Sequence, residues 1–116
     1  MAAIYNILDQ YKNDTFDGVR FTLQNSGTLT PIDITDATIK IQFRYRSKVG
    51  AIKKEITDGV GITVEDAVNG IFKIDAFIID WAPDLYYYDV EITFANGVVK
   101  TYIQGTLKVI QDITNG

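Results

Sequence analysis

The 116-residue sequence contains neither histidine nor cysteine. Without histidine, the chain lacks the commonest general base, the commonest metal ligand and the base of a catalytic triad. Without cysteine, disulfides and thiol chemistry are excluded, and the ligand spacing of transition-metal sites is absent. We therefore expect a protein that is not an enzyme, with no catalytic residues, no metal site and no cofactor.

Long apolar runs and blocks of basic charge are missing as well. No window is long and apolar enough to span a bilayer, and the first residues, MAAIYNILDQ, have neither the basic nor the apolar region of a signal peptide. The formal net charge of −4 is spread along the chain, which argues against nucleic-acid binding because that affinity comes largely from Lys and Arg. We expect no membrane segment, no Sec export and no nucleic-acid partner.

Carboxylate pairs are the remaining candidates for acid–base chemistry. The pairs are Asp33 with Asp36, Glu65 with Asp66, and Asp80 with Asp84. All lie at predicted turns or strand ends, where aspartate commonly forms Asx-turns, so we interpret them as structural. Loop carboxylates could also bind calcium, but the sequence has no EF-hand-type loop.

What the sequence does contain is alternation of apolar and polar residues between turn signals. Glycine and Asn/Asp clusters recur at a spacing of about ten residues, which is typical of sandwiches and barrels. The predicted strands are residues 15–23, 32–34, 37–46, 51–57, 62–64, 71–77, 86–94 and 98–110, while residues 1–12 form a first strand or an extended N-terminal arm. We predict a single all-β domain spanning residues 1–116, an immunoglobulin-like antiparallel β-sandwich of about 7–9 strands. A small closed barrel is the alternative.

The clearest pattern is YYYDVEITFANGVVKTYIQGTLKVI, residues 86–110. Its Asn-Gly pair between two alternating segments predicts a hairpin with a two-residue loop. The predicted partners are Ala95 with Val98, Phe94 with Val99, Ile92 with Thr101, Val90 with Ile103, and Tyr88 with Gly105. The length of the second strand of the hairpin predicts a bend or bulge in it. The most obvious place is Gly105, where the Tyr88 ring would cover the glycine. Tyr86 is either a tyrosine corner or an ordinary core residue.

Two groups of side chains are candidates for recognition. Tyr87 and Tyr102 lie on the predicted solvent face of the hairpin, where tyrosines either contact proteins or sugars or cover a neighbouring strand. The candidate protein interface combines them with apolar residues outside the regular core pattern: Ile4, Tyr5, Ile7 and Leu8. Edge-strand addition by residues 2–12 is the predicted form of this contact. For glycan stacking the candidates are Trp81, Tyr87 and Tyr102.

Several motifs occur in a characteristic order along nearly the whole chain. They are Asn13-Asp14-Thr15-Phe16; Pro31-Ile32-Asp33-Ile34-Thr35 leading into Ala37-Thr38-Ile39 and Arg44; Gly70-Ile71-Phe72; Tyr86-Tyr87-Tyr88-Asp89-Val90; Asn96-Gly97-Val98-Val99; and Gly105-Thr106-Leu107-Lys108-Val109 with Asp112-Ile113-Thr114. In this order they resemble the small immunoglobulin-like β-sandwich proteins of tailed-bacteriophage virions, such as the N-terminal domain of baseplate upper proteins and small tail or head-fibre components. Two of the motifs depart from that pattern. Asn13 stands where the family usually has glycine, and Ile34 and Asp36 stand where it usually has the leucine and the glycine of Asp-Leu-Thr-Gly.

The resemblance implies a non-enzymatic structural or adaptor protein of the virion, in the tail, the baseplate or the head decoration. Such a protein is made in the host cytoplasm and docks on other virion proteins and on copies of itself. No catalytic residue is implied. The alternative function is a carbohydrate-binding or host-adhesion module, since sandwiches often carry such sites. A bacterial surface or fibre domain would predict an export signal.

Overall fold

The computed structural model describes residues 3–25 and 27–111, so the final motif Asp112-Ile113-Thr114 and the first two residues of the arm lie outside the described residues. The strands are β1 (Ala3–Ile4), β2 (Ile7–Tyr11), β3 (Thr15–Phe16), β4 (Val19–Thr22), β5 (Thr38–Tyr45), β6 (Ile52–Asp58), β7 (Gly61–Asp66), β8 (Ile71–Ile74), β9 (Phe77–Ile78), β10 (Asp84–Thr93) and β11 (Val99–Ile110). The described part of the chain contains no helix, so the prediction of an all-β protein is confirmed.

Nine strands form one curled sheet in the order β1-β11-β10-β5-β6-β7-β8-β4, with β2 also pairing with β11. The strands β3 and β9 form a separate two-stranded sheet. This order is consistent with a β-sandwich. The sheet is mixed rather than purely antiparallel, because β1 and β2 run parallel to β11 and β6 runs parallel to β7.

The curl of the sheet brings its two ends together. The strands β1 and β4 stand at opposite ends of the pairing order. The ring of Tyr5, which follows β1, nevertheless packs edge-on against Phe21 of β4, with centroids 5.7 Å apart and an angle of 89° between the planes. This T-shaped arrangement is favoured by the ring quadrupoles. The two free edges therefore face a common surface region.

The core follows the alternation in the sequence. In β5, the side chains of Ile39, Ile41 and Phe43 are fully buried, and those between them are more exposed. Phe43 packs against Trp81 at a centroid distance of 5.4 Å, and Trp81 packs against Tyr86 at 4.9 Å. Each large apolar side chain that is buried in this way contributes roughly 1.5–3 kcal/mol of transfer free energy. The described part of the chain leaves no buried side-chain N or O atom without a hydrogen bond.

Tyr86 is a tyrosine corner as well as a core residue. Its side chain is only 1% exposed, and its hydroxyl donates a hydrogen bond of 2.7 Å to the carbonyl oxygen of Ala82. The residue lies near the start of β10, directly after the connection that crosses from β9. A hydroxyl that bonds to the backbone four residues upstream holds this connection against the core.

The predicted register of the hairpin between β10 and β11 is confirmed at the base of the hairpin and wrong at its tip. Val90 pairs with Ile103 and Tyr88 with Gly105, as predicted, but Ile92 pairs with Lys100 rather than with Thr101. The loop has three residues, since the N–H of Gly97 donates to the carbonyl of Phe94 and the N–H of Phe94 to that of Val98. A two-residue type I′ loop needs positive φ at both central residues, and here only Gly97, at 90°, has it.

An extra residue in β11 restores the predicted register beyond the loop. Glu91 pairs with Thr101 and Val90 pairs with Ile103, so Tyr102 is the unpaired residue of a bulge. The bulge therefore lies at Tyr102 and not at Gly105, as the sequence suggested. The predicted covering of Gly105 by Tyr88 is confirmed, because the ring carbon Cε1 lies 3.1 Å from the point where a Cβ of residue 105 would stand.

Two of the three residues that depart from the motif pattern, Asn13 and Asp36, lie where the backbone has a left-handed conformation. Asn13 has φ 73° and Asp36 has φ 60°. Asn and Asp tolerate this region better than other side chains, which explains how they replace glycine. At Asp36, the bond from the N–H of Ala37 to the carbonyl of Ile34, 3.0 Å, closes the turn. The backbone shape associated with glycine is thus kept without it.

Candidate functional site

The N-terminal arm lies along the last strand of its own chain. Ala3 pairs with Ile103, Ile7 with Leu107 and Tyr11 with Ile110, all in parallel orientation. The arm, defined here as residues 3–12, therefore forms the outermost strand at one edge of the sheet. A strand with a parallel partner on one side leaves the N–H and C=O groups of alternate residues pointing away from the sheet.

Specific hydrogen bonds hold the first half of the arm. The N–H of Tyr5 donates to the carbonyl of Gln104 at 2.9 Å, and the hydroxyl of Tyr88 donates to the carbonyl of Tyr5 at 2.6 Å. The N–H and hydroxyl of Thr106 both donate to Oδ1 of Asn6, each at 3.2 Å. These bonds join residues 83 to 100 positions apart, so nothing local in the sequence pointed to Asn6 or Thr106 as partners.

The arm has one buried anchor and an exposed apolar strip. Ile7 is only 5% exposed and belongs to the core. Ile4 is 72% exposed and Leu8 79% exposed, while Tyr5 and Tyr11 are also on the surface. Of the predicted interface residues, Ile7 therefore serves the core, and Ile4 and Leu8 present large apolar side chains to the surroundings.

A groove separates the arm from β4. Its volume is about 380 Å³, and its walls include Ile4 and Tyr5 on one side and Phe21 and Leu23 on the other. Tyr102, the bulge residue, also lines this groove and packs edge-on against Phe94 at a centroid distance of 6.3 Å. The bulge thus turns a tyrosine of the hairpin towards the arm.

Tyr87 lines a different depression, on the outer face of β5, β10 and β11. It is half-buried there beside Gln42, Arg44, Asp89 and Gln104. Arg44 is engaged, donating to the carbonyl of Gly50 at 2.8 Å and to Gln42 at 2.9 Å. Partial burial raises the pKa of Asp89, and repulsion from Glu91 adds to this effect. Because Tyr87 and Tyr102 line different depressions, the structure does not bring them together.

The structure does not support the prediction that Trp81 stacks on glycans. Its side chain is 4% exposed, because the ring fills the core between Phe43, Phe77 and Tyr86. Sugar stacking needs an accessible aromatic face. The single tryptophan contributes to the packing of the core instead.

Among the carboxylates that we considered for acid–base chemistry, Asp33, Glu65 and Asp84 have structural partners. Bonds from the hydroxyl and the N–H of Thr35 lower the pKa of Asp33, which forms an Asx-turn. The guanidinium of Arg46, 2.8 Å from Asp84, lowers the pKa of that carboxyl. Arg20 does the same to the pKa of Glu65. In residues 3–25 and 27–111, no three or more acidic side chains cluster as a metal ion would require.

Across the described residues, no helix has the length and apolar character needed to cross a membrane. Comparison of the sequence with models of known protein families and with curated proteins found no match.

Proposed function

We propose that the chain is a non-enzymatic structural or adaptor protein of a tailed-bacteriophage virion, located in the tail, the baseplate or the head decoration. It acts by docking on other virion proteins and on copies of itself. The resemblance of its ordered motifs supports the virion context. The observation that carries the docking mechanism is the apolar strip of the arm, where Ile4 and Leu8 are 72% and 79% exposed at a free sheet edge.

The arm combines two forms of attraction for a protein partner. The edge of a sheet offers unpaired backbone groups, which native proteins usually protect with charge, proline or bulges. Burial of apolar surface contributes roughly 25 cal/mol per Å², so two large side chains next to free backbone groups favour association. Strand addition of this kind lets main-chain bonds supply affinity and side chains supply specificity.

The carbohydrate-binding alternative has less support. Glycan sites bring several aromatic faces to one surface, whereas Trp81 is buried and Tyr87 and Tyr102 line separate depressions. We therefore do not propose that function.

The first test asks whether the chain is part of a particle. Mass spectrometry of purified virions from a host that produces the protein should detect it in a fixed ratio to the other structural proteins. Its absence from purified particles would contradict the proposed function.

The second test asks which surface docks. Because Ile4 and Leu8 are exposed, the double variant Ile4→Lys/Leu8→Lys should fold normally and yet lower incorporation into particles at least tenfold. The matched control is Val98→Lys/Val99→Lys, which changes two exposed valines at the hairpin tip and should leave incorporation unchanged. Equal incorporation of both double variants would show that the arm is not the contact.

A further inference from the structure

The surface that receives the arm is shaped for that segment. We call this surface the slot and define it as Tyr88 and residues 103–107. Gly105 has no side chain at the point where one would meet the arm, since a Cβ there would stand 1.9 Å from the carbonyl oxygen of Tyr5. The hydroxyls of Tyr88 and Thr106 donate to the arm, and Leu107 pairs with its buried anchor Ile7. The slot is thus a recognition site for a particular extended peptide.

The arm can leave the slot at low cost to the rest of the fold. Among the described strands, β1 and β2 pair only with β11, so departure of the arm breaks no pairing between the other strands. Ile7 is the one buried side chain among residues 3–12. In this respect the arm differs from β5, whose removal would open the centre of the core.

The connection between the arm and the body is a short turn that contains one left-handed residue. It consists of residues 12–14, between β2 and β3. The N–H of Asp14 donates to the carbonyl of Tyr11 at 3.0 Å, and Asn13 has φ 73°. A short hinge favours strand exchange, because it limits how the arm folds back on its own chain while the contacts of the arm with β11 can be remade in the partner.

From these three observations we propose that the slot also accepts the arm of a second copy, so that neighbouring copies exchange residues 3–12. The inference rests on the proposed docking function and specifies its form. The contacts inside the slot are the same whether the arm comes from the same chain or from a neighbour. The local concentration of arms and the conformation of the hinge therefore decide which arm fills the slot. Copies held side by side in an assembly favour exchange.

The absence of native cysteine makes the test direct. Asn6→Cys and Thr106→Cys place two thiols where the native side chains already meet at 3.2 Å. The two single variants, mixed at high concentration and oxidised, should form a disulfide-linked heterodimer. Its yield should be at least tenfold higher than that of Asn6→Cys mixed with Thr63→Cys, which carries its thiol on the exposed face of β7.

Two further comparisons make the result decisive. The double variant Asn6→Cys/Thr106→Cys should cross-link within one chain, which shows that both substitutions preserve the fold and the slot. Adding Asn13→Val to both single variants should raise the heterodimer yield several-fold over Asn13→Gly, because a β-branched residue resists positive φ and glycine does not.

The proposal is overturned if the double variant closes within one chain and the mixed single variants give no more dimer than the mismatched pair. Equal yields from the two hinge variants would overturn exchange about Asn13. Either result leaves the virion function standing as long as the Ile4→Lys/Leu8→Lys variant loses incorporation. In that case the arm docks by its outer surface without exchange.

Discussion

Gly105 shows at the scale of one residue how a missing side chain positions a distant segment. The sequence suggested that this glycine marks a bend, but the bulge lies at Tyr102. Gly105 is needed because the backbone of Tyr5 occupies the space of a side chain, with the carbonyl oxygen 1.9 Å from an ideal Cβ. A close approach of two backbones is one of the recognised uses of glycine in a strand.

Gly105→Ala should therefore push the arm out of the slot. We expect a loss of roughly 1–3 kcal/mol in the free energy of unfolding, the usual range for overpacking, together with faster amide exchange in residues 3–11. Urea denaturation and hydrogen exchange measure the two effects. Unchanged exchange in the arm would contradict this role of Gly105.

At the scale of the element, the hairpin shows the limit of a strong local signal. Asn96-Gly97 correctly predicted a hairpin, and alternation correctly predicted that Tyr86, Tyr88, Val90 and Ile92 face the core. The loop length and the bulge at Tyr102 were not predictable, because three-residue loops with a left-handed glycine use similar residues. The three-residue loop shifts the pairing by one residue, and the bulge at Tyr102 shifts it back. The register at the base of the hairpin is therefore the predicted one.

The loop type leads to a prediction about Asn96 and Gly97. Gly97→Ala should cost roughly 1–2 kcal/mol, because Gly97 has φ 90°. Asn96→Ala should cost less than half as much, since Asn96 loses only an exposed bond from the N–H of Val98 to its side chain. Urea denaturation of both variants checks this. Equal costs would indicate a type I′ loop, in which both residues have positive φ.

At the scale of the whole molecule, two buried tyrosines whose hydroxyls bond to the backbone, Tyr86 and Tyr88, make stability depend on pH. Burial raises the pKa of Tyr88, and a negative charge on nearby Tyr5 would raise it further. Burial likewise raises the pKa of Tyr86. In the unfolded chain both hydroxyls titrate near their ordinary value of about 10. The folded state therefore retains protons that the unfolded state loses at alkaline pH.

The sign of the effect follows from this difference. A raised pKa in the folded state means that stability is fully present below pH of about 10 and falls as the pH rises above that value. We expect the midpoint of urea denaturation to decline above this pH. Tyr88→Phe should lower stability at neutral pH, because the bond to Tyr5 is lost, and should flatten the alkaline decline. An identical slope in this variant would contradict the role of Tyr88.

The sequence by itself determined the class of the fold and the apolar faces of the strands, because a period of two and local turn chemistry act over a few residues. Only the tertiary structure decided that Trp81 is core, that Tyr87 and Tyr102 are apart, and that the arm lies in a slot on β11. Those outcomes depend on how the sheet curls and on contacts such as that between Asn6 and Thr106, 100 positions apart, for which no local pattern carries a signal.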